Sequence, residues 1–209
     1  MTATRPDDRD DTGWLESVSG VPFWPLDLRE GDRMPLVDLA SALANLCRYG
    51  GHVWPLYSVA QHSVLVAEYV ERQIRAARWW FPDPARVVLA ALLHDLTEGL
   101  GLVDLPRPVK YAMPQYLEAE ARAEAWVRFR WALDLPSTAW ELIKQGDDAM
   151  LATEKRDLKP HGKRDWRLAR EAIPAPYRVT PWTPEQARAR FLWKWWQVTR
   201  PSFMQKLVD

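Results

Sequence analysis

The 209-residue chain balances 28 lysines and arginines against 28 aspartates and glutamates. With zero formal charge, no global field draws it to nucleic acid or to a membrane surface. That length suits one domain with a substantial core, and a single cysteine, Cys47, excludes an intramolecular disulfide and a Cys-based zinc site and fits a reducing cytoplasm. The apolar runs are too short to span a bilayer, and the N-terminus lacks the basic and apolar regions of a signal peptide. Thirteen tryptophans point to a core filled by large rings and to some exposed aromatic surface.

Residues 1–12 are polar and charged and are expected to form a disordered tail ahead of one domain over residues 13–200. Between Trp14 and Pro35, Ser17, Gly20, Pro22, Pro25 and Gly31 predict an ordered but irregular segment with a short hairpin. Leu36, Leu39, Leu43 and Leu46 recur at helical spacing and predict a helix over 36–49, ended by Gly50-Gly51. A second helix begins at Ser58, which has capping-box spacing to Gln61, with Tyr57 placed to pack back as a staple. On its apolar stripe of Val59, Leu65, Val66 and Tyr69 sits His62, which points at the core.

Asp83-Pro84 supplies a cap and a first-position proline for a third helix, expected to run through His94, Asp95 and Glu98 until Gly99 and Gly101 fray it. Pro106 and Pro108 hold Leu105 to Lys110 in a stiff extended or turn segment. Helices follow over 114–133 and 137–158, the second with Ile143, Asp147, Met150, Leu151 and Glu154 on one face. Residues 159–182 form a basic, proline-broken connection. Thr183-Pro184-Glu185-Gln186 then caps a last helix expected to bury Phe191, Trp193 and Trp196. No repeat, coiled-coil heptad or convincing alternating strand is present. The fold class is all-α, a compact single-domain helical array.

The chemistry centres on Leu92-Leu93-His94-Asp95-Leu96-Thr97-Glu98. An imidazole and a carboxylate at the end of an apolar run are costly to bury, and cation binding offsets that cost. His62, His94, Asp95 and Asp147 give a mixed nitrogen and oxygen set suited to one divalent Mn, Fe, Co, Ni or Zn ion, with positions left open for water and substrate. Glu98 is placed one turn from His94 to accept a proton from water, and Asp104 is placed to assist or to hold a second cation. Asp148 competes with Asp147, which is preferred because it falls with Ile143, Met150 and Leu151. Lys144, three residues before Asp147, shares nearly the same face; an ordinary solvated lysine is its competing reading.

The order H…HD…D on an all-α chain resembles the HD-domain phosphohydrolase superfamily. The strings Leu46-Cys47-Arg48-Tyr49-Gly50-Gly51-His52, Tyr57-Ser58-Val59-Ala60-Gln61-His62-Ser63 and Asp104-Leu105-Pro106-Arg107-Pro108-Val109-Lys110 are similar to the small phage and bacterial branch of 5′-deoxynucleotidases and dATP or dNTP triphosphohydrolases. The resemblance covers nearly all of residues 17–197. It implies that His62, His94, Asp95 and Asp147 hold the catalytic metal and that Glu98 and Asp104 are the acid–base carboxylates. Arg48, Lys110 and Lys144 take phosphate-contacting positions, with Mg or Mn accompanying the substrate phosphates. His52 either lines the site or hydrogen-bonds near the Gly50-Gly51 turn.

The stretch from His94 to Asp104 is one residue longer than the branch leads one to expect, which bears on the placement of Asp104. No further histidine lies between Asp95 and Asp147, which argues against a two-metal phosphodiesterase.

The leading expectation is a metal-dependent hydrolase of deoxynucleotides at the 5′ phosphate, acting on a dNTP, a purine such as dATP, to release deoxynucleoside and triphosphate. The near alternative is a dNMP 5′-nucleotidase. Base choice is sought in Phe23, Trp24 and Pro25, ahead of Arg48. The location is the cytoplasm of a bacterium or of a phage-infected host, the partner a small nucleotide, and the tryptophans suggest a homo-oligomer interface.

From another class, a nucleic-acid-binding module draws on Lys163, Arg164, Trp166, Arg167, Arg188, Arg190, Trp193, Lys194, Trp195 and Trp196, since interleaved arginine and tryptophan contact phosphates and stack bases. A metal-stabilised scaffold without activity is the third reading, and the presence of Glu98 argues against it.

Overall fold

A computed structural model describes residues 9, 12–76, 78–103, 105–159, 162–164, 166 and 171–200. Within them the chain is all-α: seven helices and one two-stranded antiparallel ladder, β1 (Leu15–Glu16) with β2 (Pro22–Phe23). The hairpin is fastened to the first helix, α1 (Leu36–Asn45), where Asp38 accepts hydrogen bonds from the hydroxyls of Ser17 (2.6 Å) and Ser19 (2.5 Å).

Helix α1 stops earlier than its leucine spacing predicts. Leu46 turns extended (φ −77°, ψ 116°), and residues 46–48 pair with 57–59 instead of adding a turn. Val59 N–H donates to the Leu46 carbonyl (3.0 Å) and Arg48 N–H to the Tyr57 carbonyl (2.9 Å), so the ladder outcompetes the helix. Arg48–Gly51 then form a tight 3-10 turn in which Tyr49 (φ 61°) and Gly50 (φ 59°) are both left-handed. An aromatic residue there is uncommon and must be held by its surroundings.

Helix α2 (Val59–Arg75) is the axis of the molecule, packed against α1, α3 (Pro84–Leu92), α6 (Ser137–Leu158) and α7 (Pro184–Val198). Ser58 caps it by accepting from Gln61 N–H (3.2 Å). The Gln61 side chain does not close a capping box. It donates to the Thr180 carbonyl (2.9 Å) and accepts from Trp182 N–H (2.8 Å), tying the C-terminal connection to α2.

The third helix also ends sooner than expected, at Leu92, and a 3-10 turn over Leu96–Leu100 follows. Gly99 is a point of close approach, because a Cβ there would meet Leu43 Cγ at 3.2 Å and the Leu39 carbonyl at 3.3 Å. Residues Arg107–Lys110 form one helical turn, α4, within the segment expected to be extended or a turn. Pro108 is compatible with a first turn, whose N–H groups have no intrahelical partner. Helix α5 (Pro114–Arg130) is three residues shorter than predicted, and Ala132 beyond it has a left-handed backbone (φ 51°).

Helix α7 carries the expected Thr183–Gln186 capping box, and of the three residues expected inside it buries Phe191 but not Trp193 or Trp196. Ala187, Phe191, Lys194 and Val198 point inward, while Trp193 stays 55% exposed and Trp196 36% exposed. Those four fall at steps of four, three and four, which is one stripe of a helix. Lys194 is tolerated inside because its ammonium pairs with Glu71 on α2.

Candidate metal centre

His62, His94 and Asp95 converge, each offering a ligand atom within 4.8 Å of the other two. His62 is fully buried on α2, and its ring centroid lies 5.3 Å from that of His94. Asp95 Oδ2 is 3.3 Å from His94 Nε2 and 3.7 Å from His62 Nε2. Asp147 arrives from α6 with Oδ1 3.3 Å from His62 Nε2, so it borders the trio through His62. Gly146 permits that approach: a Cβ on it would meet Tyr69 Cδ1 at 3.2 Å and Val66 Cγ1 at 3.3 Å on α2.

The end of α3 explains how His94 and Asp95 come to face inward side by side. His94 Nδ1 lies 2.8 Å from the Ala91 carbonyl, which can only accept, so Nδ1 carries the proton. This contact takes up a carbonyl near the helix end, and the chain tightens there instead of continuing.

His62 has the same polarity for a different reason. Its Nδ1 lies 2.6 Å from Glu154 Oε1. Glu154 is fully buried, and although burial raises its pKa, the charges of Arg48 and His62 bring it down to about 2. An ionised carboxylate can only accept, so Nδ1 of His62 donates as well.

Both Nε2 atoms are therefore left with no hydrogen-bond partner while buried among carboxylate oxygens. Lone pairs facing lone pairs at these distances need a positive charge between them, a proton or a metal ion. Without a metal the proton goes to His62: burial and the Arg48 charge depress its pKa, but Glu154 and Asp147 outweigh them and raise it to about 9. Burial raises the Asp147 carboxyl, and the protonated His62 ring 3.3 Å away takes it well below the usual carboxylate range.

The donor set fits a divalent transition ion, since both imidazoles are fixed in the tautomer that ligates through Nε2. Two atoms each about 2.1 Å from one ion at a tetrahedral angle are roughly 3.4 Å apart, a spacing that His94 Nε2 and Asp95 Oδ2 already have at 3.3 Å and that His62 Nε2 and Asp95 Oδ2, at 3.7 Å, approach.

Glu154 is the residue that sequence reasoning placed on the stripe but gave no role. Besides His62 it accepts from Tyr57 Oη (2.8 Å) and Tyr49 Oη, and its Oε2 lies 3.3 Å from Arg48 Nε. Arg48 also reaches Asp95, Nη1 to Oδ2 at 3.3 Å. The guanidinium thus bridges the two carboxylates, and the Tyr49 hydroxyl bond tethers the side chain of the left-handed residue to Glu154. A signal was present: Glu154 lies seven residues beyond Asp147, two turns along the same face.

Glu98 is buried on the 3-10 turn directly after Asp95. Lys144 pairs with Asp147 (3.1 Å) and with Asp148, so Asp148 faces the lysine while Asp147 spans lysine and His62. Lys110 pairs with Glu120 across α4 and α5 (2.5 Å). His52 is exposed; its backbone N–H donates to the Tyr49 carbonyl (3.1 Å) and its carbonyl accepts from Lys159. Asp104 and Arg167 lie outside the described residues.

Beside the cluster opens a pocket of ≈ 170 Å³ lined from α3, α5 and α6, to which His94 and Asp147 both belong. Phe23, Trp24 and Pro25 are not part of its lining. In the C-terminal basic part, Arg190 lies over the Trp182 ring (4.2 Å) and Trp193 stacks on Trp196 (4.5 Å). Phe191 and Lys194 are committed to the interior.

Fold and site together define a helical domain with a buried histidine–carboxylate cluster. No family model matches the chain. It belongs to the same family as the uncharacterized protein YfdR of Escherichia coli (strain K12), with 33% identity over 181 residues, covering 86% of this chain and 92% of that protein. It is also similar to an uncharacterized protein of Rhodobacter capsulatus, 34% identical over 152 residues, covering 69% of this chain and 72% of that one.

Proposed function

We propose that the protein is a metal-dependent phosphohydrolase of the HD-domain type that cleaves deoxynucleotides at the 5′ phosphate. The observation that carries this reading is the pair of buried Nε2 atoms of His62 and His94, without partners and turned toward Asp95, with Asp147 at the border. A divalent metal held there supplies Lewis-acid polarisation of a phosphoryl oxygen and acidifies water.

Glu98 takes the proton from the attacking water. Water oxygen bonds to the α-phosphorus, the bond to O5′ breaks, and O5′ leaves as the nucleoside hydroxyl, taking up the proton that Glu98 received from the water. Lys144 balances charge on the phosphate oxygens from its place beside Asp147. Arg48, held between Asp95 and Glu154, orients both carboxylates and keeps one edge of the cluster cationic.

A deoxynucleoside triphosphate is the substrate, yielding deoxynucleoside and tripolyphosphate. The monophosphatase reading differs only in releasing orthophosphate from a dNMP. No helix among the described residues is long and apolar enough to cross a membrane. With one cysteine, the chain is suited to the cytoplasm. The stacked, exposed Trp193 and Trp196 support a homo-oligomer.

The test is a panel of dNTPs, dNMPs and NTPs with Mn, Co, Zn or Mg, products separated by chromatography and Glu98→Ala as control. Nucleoside plus tripolyphosphate, lost in the variant, is the expected result. Orthophosphate from monophosphates alone moves the assignment to a 5′-nucleotidase, and silence across the panel overturns the reading.

A further inference from the structure

The pocket beside the cluster has a chemistry of its own. Val127, Leu133 and Ile143 give it an apolar floor, and half-buried Trp140 stands as an aromatic wall. The Arg128 guanidinium lies 4.4 Å over the Trp140 ring. One helical turn before Arg128, Glu124 places a carboxylate at the rim, 3.6 Å from the guanidinium. Because His94 and Asp147 also line this space, a molecule whose phosphate sits on the cluster extends directly into it.

We propose that this pocket is the subsite for the heterocyclic base of the substrate, packed against Trp140 and selected through Glu124 for an exocyclic amino group. The inference rests on the phosphohydrolase reading for the position of the phosphate, and it names what the rest of the substrate must be.

Three features support it. A volume of ≈ 170 Å³ is below the roughly 300–1,000 Å³ that encloses a whole drug-sized ligand, so it takes a ring system and leaves sugar and phosphates outside. An apolar floor opposite an aromatic wall suits a flat conjugated ring, since every base has a π-face to stack. A carboxylate can only accept hydrogen bonds, so it rewards the exocyclic amino group of adenine, cytosine or guanine, which thymine and uracil lack. Partial burial raises the Glu124 pKa against the lowering charge of Arg128, with Glu120 adding to the rise, so this carboxylate gains from a further donor.

Titration calorimetry of the metal-free protein with deoxynucleosides, which carry no phosphate, isolates the pocket from the cluster. Deoxyadenosine and deoxycytidine are expected to bind at least roughly tenfold more tightly than thymidine. Trp140→Ala should weaken the amino-bearing nucleosides by roughly 5- to 100-fold. Glu124→Gln should level the preference without abolishing binding, and Ile143→Trp should block the pocket. Inorganic tripolyphosphate should bind the Mn-loaded Glu124→Gln and wild-type proteins alike. Thymidine binding as tightly as deoxyadenosine, no binding by any nucleoside, or an unchanged affinity in Trp140→Ala overturns the base subsite. These readouts involve no hydrolysis. A silent nucleotide panel with selective nucleoside binding removes the phosphohydrolase and keeps the subsite, and hydrolysis with indifferent nucleoside binding does the reverse.

Discussion

His62 Nδ1 lies 2.6 Å from Glu154 Oε1, a fully buried imidazole on α2 joined to a fully buried carboxylate on α6. That bond fixes which nitrogen of His62 faces the cluster. Glu154→Gln preserves size but takes away the acceptor's charge, and the amide can turn a donor toward the ring. The expected outcome is a folded protein whose metal affinity falls by roughly 10- to 100-fold, measured by chelator competition. Glu154→Ala also strands buried Arg48, and should cost on the order of 3–5 kcal/mol of stability in denaturant unfolding.

Asp147 and Asp148 both contact Lys144, yet only Asp147 is also within 3.3 Å of His62. Asp147→Asn should therefore lose metal in elemental analysis, while Asp148→Asn retains it and keeps the circular dichroism and melting temperature of the wild type. Equal loss in the two variants would mean that the α6 ligand is wrongly assigned.

Gly146 sets the distance between α2 and α6. Alanine there favours helix by about 1 kcal/mol, but its methyl group presses on Tyr69 and Val66, and overpacking costs about 1–3 kcal/mol. Gly146→Ala should lower both stability and metal affinity, because α6 can relieve the contact only by moving Asp147 away from His62. Val66→Ala in the same chain makes room for the methyl group and should restore part of both.

Titration of His62 makes the metal-free protein sensitive to alkali. Its pKa is about 9 when folded against 6.5 for a free side chain, so the folded state holds the proton more tightly. The resulting stability is fully present below pH 6.5 and is lost as pH rises through about 9. Thermal melts of chelator-treated protein should decline across that window, and metal-loaded protein should not follow. Metal binding displaces the same proton, so affinity should increase with pH up to about 9. A flat profile in both experiments would show that Nε2 of His62 is not where the proton and the metal compete.

Periodicity made most of this architecture legible, because helices over 59–75, 137–158 and 184–198 announce themselves through apolar stripes and capping residues. Their ends were harder. The stops at Asn45 and Leu92 depend on partners distant in sequence or on a side chain closing back: residues 57–59 pairing with 46–48, and the His94 ring on the Ala91 carbonyl. His62, His94, Asp95 and Asp147 were readable as polar residues on or beside core-facing stripes. Glu154 stood on such a stripe too, but its role depends on Arg48, Tyr49 and Tyr57 arriving from another segment, which no spacing along one helix encodes.

The pairing of residues 46–48 with 57–59 means that the excursion between them is closed at its base. Trp54 projects from it at 89% exposure, while Arg48 and His62 are set by the paired stems on either side. Loop-closure entropy grows slowly, by only about 0.6 kcal/mol for each doubling of length. Insertions near Trp54 should therefore be absorbed without disturbing the cluster. It is a practical place for attaching a spectroscopic label within reach of the site.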